Sequence, residues 1–197
     1  MTTRRVAWRR SDDIETDEHC TLTVRDSGLS LVGTVLGAEA GAPVRIEYRV
    51  LADAAGFTTA THVREVRGFE TRTLALERDA KGNWTVDGKA VRSLKGCTDV
   101  DLGCSPSTNT LPIRRLRLAP GKAATIKAAW VRFPALVVVK AAQTYARLDE
   151  FTWRYASGTF EAELTVDEDG LVAVYADWRR TGFAMGSDDT APLDSMR

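Results

Sequence analysis

Histidine is almost missing from this chain. His19 and His62 are the only two among 197 residues, and cysteine is limited to Cys20, Cys97 and Cys104. That scarcity argues against a metal centre. Cys97 and Cys104 are separated by six residues, outside the two-to-four spacing of most zinc sites. His19 and Cys20 are adjacent, so on a strand they would face opposite sides. There is no Gly-x-Ser-x-Gly elbow to present a serine nucleophile. The glycines are scattered rather than gathered into a phosphate-cradling loop. No catalytic residue, metal or cofactor is therefore expected. An odd number of cysteines cannot all pair, and three thiols are expected.

Charge of one sign is also lacking. Lys plus Arg is 27 and Asp plus Glu is 27, so the formal net charge is zero. A nucleic-acid binder needs a basic excess to meet phosphates, so no nucleic-acid partner is expected. Long apolar runs are missing too. The opening MTTRRVAWRRSDD carries no apolar stretch of secretory-signal length, and nothing approaches the ~20 apolar residues of a membrane span. The longest apolar run, Ala135 to Val139, is strand-sized. These absences lead us to expect a cytoplasmic protein with no integral membrane segment. They say nothing of its oligomeric state.

What the sequence has in quantity is alternation. Val44, Ile46, Tyr48 and Val50 alternate with Arg45, Glu47 and Arg49, and Phe160, Ala162, Leu164 and Val166 alternate with Glu161, Glu163 and Thr165. Leu29, Leu31, Gly33 and Val35 keep the same spacing. Period two over four to eight residues marks a strand buried on one face, most cleanly in antiparallel sheets. Asp87-Gly88 between two such segments is a hairpin signal. Expected strands fall near 4–9, 18–25, 29–36, 44–52, 57–66, 69–78, 83–86, 89–93, 113–118, 124–133, 135–147, 151–156, 159–166 and 171–178. Lys140 to Glu150 has good helix formers, but it continues a Val-rich run and reads as strand. Thr108 to Arg117 could open as a short helix, with Asn109 or Thr110 capping and Pro112 in its first turn. The expected fold is all-β: one antiparallel sandwich, barrel or roll over residues 1–186, with at most one or two short helices. Residues 187–197 (SDDTAPLDSMR) are polar and unpatterned and read as a flexible tail.

Gly96 to Leu118 (GCTDVDLGCSPSTNTLPIRRLRL) is the most distinctive stretch. On a strand Asp99 and Asp101 would share one face and Val100 and Leu102 the other. Arg114 and Arg115 follow. Two readings stay open. The arginines could hold an anionic head group while the aspartates orient them or bind sugar hydroxyls, or all four could form a network that pins a long loop. Adjacent side chains diverge, so we expect one arginine to be locked by the aspartates and the other to point elsewhere. A carboxylate pair is also the equipment of glycoside hydrolysis. Ile126 to Phe133, which includes Trp130, is apolar on both faces. Such a strand is either sandwiched between layers or lines a ligand cavity.

The GC-x-DVDL and NTLPIRR motifs, at Gly96 to Leu102 and Asn109 to Arg115, resemble those of a bacterial glycolipid-binding family that was formerly a domain of unknown function. The resemblance runs over nearly the whole chain. It takes in Trp8, Gly33-Thr34-Val35, Asp79-x-x-Gly82-x-Trp84, Tyr145 and Val166-Asp167-x-x-Gly170-Leu171-Val172. It implies a spiral β-roll, a long curled antiparallel sheet akin in shape to bacterial lipoprotein carriers, and an amphiphilic ligand such as a glycolipid. The ligand-contacting residues expected on this basis are Asp99, Asp101, Asn109, Arg114, Arg115, Trp130 and Tyr145. The competing expectations are a hydrolase of a glycolipid or glycoside working through Asp99 and Asp101, and an interaction protein without a small ligand.

Overall fold

The computed structural model describes residues 1–11 and 16–186; the expected tail at 187–197 lies outside them. About 65% of the chain is strand. The strands are β1 (Thr2–Arg10), β2 (Thr16–Arg25), β3 (Gly28–Glu39), β4 (Ala42–Asp53), β5 (Thr58–Arg67), β6 (Glu70–Arg78), β7 (Trp84–Val86) and β8 (Lys89–Ala90). They continue with β9 (Asp99–Leu102), β10 (Ala123–Arg132), β11 (Val137–Arg147), β12 (Thr152–Ser157), β13 (Phe160–Val166), β14 (Val172–Tyr175) and β15 (Trp178–Gly186). One helix, α1 (Thr110–Leu116), lies between β9 and β10.

All fifteen strands belong to a single sheet, ordered β8-β7-β6-β5-β4-β3-β2-β1-β15-β14-β13-β12-β11-β10-β9. Two meanders meet where β1 pairs β15. Every pairing is antiparallel except that of β9 with β10. The sheet curls back on itself. Thr58 N on β5 donates to Thr98 O at 3.1 Å, and Val100 N on β9 donates to Thr58 Oγ1 at 3.1 Å, so the β9 edge returns against the other half.

Alternation sorts the side chains into rungs across the inner face. Val6, Cys20, Gly33, Tyr48, Val63 and Leu74 stand opposite one another on six strands. Trp8, Glu18, Val35, Ile46, Glu65 and Arg72 form the next rung. The core includes four of the five tryptophans: Trp8, Trp84, Trp153 and Trp178.

The interior of the roll is filled by its own chain. Residues 105–113, from Ser105 through Ile113, are all buried. This plug includes a single helical turn (Ser107–Asn109) and most of α1. β10 is accordingly sandwiched: Ile126, Ala128, Ala129 and Val131 are all buried, which accounts for its apolar character on both faces.

The structure corrects four expectations. Residues 113–118 are not a strand, because Thr110–Leu116 is helical. Pro112 is tolerated there because first-turn N–H groups have no partner within the helix. Asn109 occupies the N-cap but makes no side-chain cap bond; its Oδ1 accepts from Tyr145 Oη at 2.9 Å instead. Residues 171–178 split into β14 and β15 at a turn where Ala176 has φ 48°, and β15 runs on to Gly186. Arg92–Leu94 is a helical turn rather than the end of a strand. β9 was absent from the expected strands, since four residues are too few for alternation to register. Lys140 to Arg147 is strand despite its helix propensity, because Gln143 and Tyr145 are buried on one face and the segment pairs along β10.

Candidate ligand-binding cleft

The hairpin turns at one end of the roll surround a cleft of about 990 Å³. Its walls come from the β2–β3, β4–β5, β11–β12 and β13–β14 turns and from α1. Two glycines let the turns press onto the helix. Gly56 has φ +84°, and a Cβ there would come within 3.0 Å of Arg115 Cβ. Gly170 has φ +74°, and a Cβ there would meet Arg114 Cγ at 3.2 Å and Ile113 Cγ2 at 3.3 Å. Either substitution would be strained by the positive φ as well as crowded.

The apolar lining of the cleft includes Val24, Leu29, Leu111, Ile113, Trp153 and Val166. Its polar groups differ in how far they are committed. Arg115 is held by Asp99, with Nη2 donating to Oδ2 at 2.5 Å and Nε to Oδ1 at 3.3 Å. Arg114 Nη1 donates to the Asp169 carbonyl at 2.5 Å. Arg147 donates to the carbonyls of Leu118, Asp149 and Glu150, and its guanidinium lies 5.7 Å from the Trp153 ring centroid. By contrast, the side chains of Arg25, Arg117, Glu150 and Glu168 are exposed and, among the described residues, enter no ion pair or hydrogen bond. Trp153 Nε1 is buried and has no acceptor. A buried N–H without a partner is uncommon in folded proteins and calls for an explanation. Here it belongs to a residue of the cleft wall.

The seven residues expected to meet a ligand divide into three groups. Arg114 and Arg115 line the cleft. Asp99, Asp101, Asn109 and Tyr145 lie at the plug. Asp101 accepts from Gln143 Nε2 at 2.6 Å and from Thr108 Oγ1 at 3.3 Å, with no arginine in contact. Burial pushes its carboxyl up to about 6, against the lowering effect of those two bonds. Burial also raises Asp99, opposed by its bonds and attraction to Arg115. Trp130 stands apart, half-buried beside Gly103, with Arg132 5.1 Å from its ring centroid. The expected divergence of the arginine pair is present, but only Asp99 does the locking.

A second polar cluster, which the sequence did not disclose, lies inside the roll. Tyr48 Oη and Ser105 Oγ both donate to Glu18 Oε1, and Ser107 Oγ joins both hydroxyls, at 2.8 Å from Tyr48 and 2.7 Å from Ser105. Glu18 is fully buried and its Oε2 has no partner. Desolvation pushes its carboxyl up to about 7, partly offset by these hydrogen bonds. Gly33 makes the cluster possible, because a Cβ at this position would collide with the Tyr48 ring. The cluster ties the plug to β2 and β4, and none of its residues lines the cleft.

Residues 5–180 match the family described as "Putative glycolipid-binding". The chain belongs to that family. The match takes in the whole plug and every residue of the cleft wall. Among solved structures, a DUF1089 family protein from Pseudomonas aeruginosa is 35% identical, with a TM-score of 0.73 over 82% of this chain and 89% of that one. A β-barrel-like protein of the domain of unknown function DUF1849 from Brucella abortus has a TM-score of 0.57 over 94% of this chain and 98% of that one. At 9% identity it speaks to the fold alone. No curated protein matches the chain.

The cleft residues Arg25, Arg117, Glu150, Phe151, Trp153 and Glu168 were not legible as a site. They sit at three separate hairpin connections and in the segment after α1, and only the sheet topology brings them to one end. Among the described residues no helix is long and apolar enough to cross a membrane, and no group of His, Cys, Asp and Glu is arranged to hold a metal.

Proposed function

We propose that this protein binds an amphiphile with a neutral, polyhydroxylated head, such as a glycolipid, in the cleft at the turn end of the roll. One observation carries the reading: a single cleft combines an apolar floor with uncommitted donors and acceptors of both signs. The lining is more polar than that of an ordinary small-molecule pocket, which suits a hydrated head group more than a long apolar tail. Val24, Leu29, Leu111, Ile113 and Val166 would cover the apolar chain. Arg25, Arg117 and the Trp153 indole N–H would donate to sugar oxygens, and Glu150 and Glu168 would accept from hydroxyls. Two free cations beside two free anions suit a neutral polyol better than a charged head. The expected seat of the ligand thus moves from the inside of the roll, which the plug occupies, to its end.

Hydrolysis by an Asp pair finds little support in this geometry. Asp99 is 1% exposed and ion-paired, Asp101 is held by Gln143 and Thr108, and neither lines the cleft.

Octyl β-glucoside, kept below its micelle concentration, tests the proposal. Saturable quenching or shift of tryptophan emission is expected, and Trp153→Phe should remove most of that change. Arg117→Ala combined with Glu150→Ala should weaken binding at least about tenfold, the worth of one to two charge-assisted hydrogen bonds. Non-saturable behaviour, or equal binding by the double variant, would overturn it.

A further inference from the structure

A chain with zero formal net charge nevertheless gathers cations on one outer face. Arg92 and Lys95 line a second groove, of about 820 Å³, together with Arg78, Trp84, Ala90 and Val91. The cluster extends onto the neighbouring strands. Lys140 Nζ donates to the Lys95 carbonyl at 3.2 Å, and a Cβ on Gly96 would lie 3.8 Å from Lys127 Cδ. Arg92, Lys95, Lys127 and Lys140 are exposed, and none of them enters an ion pair among the described residues. The acidic side chains alongside are Glu77, Asp79 and Asp87. Asp79 and Asp87 are turned back onto backbone N–H groups, of Lys81 and Asn83 and of Ala75 respectively.

This face adjoins the cleft. The Phe57 ring has Arg78 5.1 Å from its centroid and Arg115, a residue of the cleft wall, 5.2 Å from it. One aromatic ring therefore bridges the basic groove and the mouth of the proposed ligand site.

We infer that the basic face around Arg92, Lys95, Lys127 and Lys140 docks the protein on an anionic lipid bilayer, with the cleft mouth beside the membrane. Each Lys or Arg near an anionic membrane surface contributes about 1 kcal/mol of attraction within a Debye length. Four such groups, unopposed by ion pairs, are enough for reversible binding. Half-buried Val91 supplies apolar surface in the groove between the cations. The inference extends the cleft reading by naming where the ligand is met, and it can fail separately from it.

The test is vesicle sedimentation of the full chain. Vesicles of three parts phosphatidylcholine to one part phosphatidylglycerol should carry the protein down in low salt and release it in high salt. Pure phosphatidylcholine vesicles should leave it in solution. Each of Arg92→Glu, Lys95→Glu and Lys127→Glu should lower partitioning at least about fivefold. Arg49→Glu, the same charge change on exposed β4, should change it by less than about twofold. All four positions are exposed, and circular dichroism verifies that each variant folds. Octyl glucoside binding by the three variants should be unchanged, which separates a failed cleft from a failed docking face. Absence of binding to the anionic vesicles, equal loss at Arg49, or retention on heparin without vesicle binding would overturn the inference.

Discussion

Replacing Glu18 by Gln should make stability less dependent on pH, and the size of the effect follows from the burial of one carboxyl. In the fold Glu18 holds its proton up to about pH 7, against 4.5 for an ordinary glutamate. A folded state that keeps a proton the unfolded chain releases loses stability as pH rises between those two values. Its contribution is full below 4.5, declines through the interval and is flat above about 7. The difference corresponds to about 3 kcal/mol. Gln keeps an Oε1 acceptor for Tyr48 and Ser105 and cannot ionise. Its Nε2 would take the place of the partnerless Oε2, at a cost of about 1–3 kcal/mol that does not vary with pH. Urea unfolding at about pH 5 and about pH 8 therefore separates the two effects. The wild type should lose about 2.5 kcal/mol more than Glu18→Gln on going from the lower to the higher pH. Identical pH dependence in the two proteins would refute the assignment of a neutral carboxyl to the Glu18–Tyr48–Ser105 cluster.

Asp101→Asn should act in the same direction. Its carboxyl titrates near 6 rather than 3.8, so the variant should gain about 1.4 kcal/mol relative to wild type between about pH 5 and about pH 8 in the same urea assay. Arg115→Ala should cost about 3–5 kcal/mol, because it strands the buried Asp99 carboxylate. Arg114→Ala, which removes a more exposed side chain, should cost about 1 kcal/mol or less; comparable melting temperatures for the two variants would contradict the ion-pair geometry. Gly33→Ala should drive Tyr48 off Glu18 and cost roughly 1–3 kcal/mol in chemical denaturation. A melting curve like that of the wild type would show that the ring can move aside freely.

The sheet was readable where both ends of a strand are marked by turns and one face is wet. β4 and β13 alternate cleanly because the Arg and Glu positions project outward while Ile46, Tyr48 and Leu164 project inward. The Asp87-Gly88 hairpin was readable because both residues adopt positive φ, at 48° and 73°, and Asp-Gly is the usual chemistry for that turn. The plug was not readable as an interior element. Ser105, Ser107, Thr108, Asn109 and Thr110 look like an exposed loop by composition, yet all are buried. The side chains of Ser105, Ser107, Thr108 and Asn109 find partners on β2, β4, β9 and β11, and no local pattern reveals contacts so distant in sequence. For the same reason Glu18, one charged residue in a run of alternating types, gave no sign that it faces inward. The motif at 96–118 runs through the plug and α1. Asp99 and Asp101 bond to Arg115, Thr108 and Gln143 beside the plug, while the cleft draws Leu111, Ile113, Arg114 and Arg115 from this motif and the rest of its wall mostly from turns scattered along the chain.

The pairing of β1 with β15 brings Thr3 opposite Gly186. Residues from the two extremes of the sheet's chain thus share one ladder, and the two meanders become one sheet only through that seam. A ribosome would have to deliver β15 before the roll could close. Until then β1 would wait as an open edge, a phase in which pairing with another nascent copy competes with folding. The same proximity makes the chain a good subject for circular permutation. A short linker across the seam and new ends at Gly68-Phe69, in the exposed β5–β6 turn, should give a roll with unchanged side-chain contacts in which the last strand delivered is β5, between β4 and β6, rather than β15.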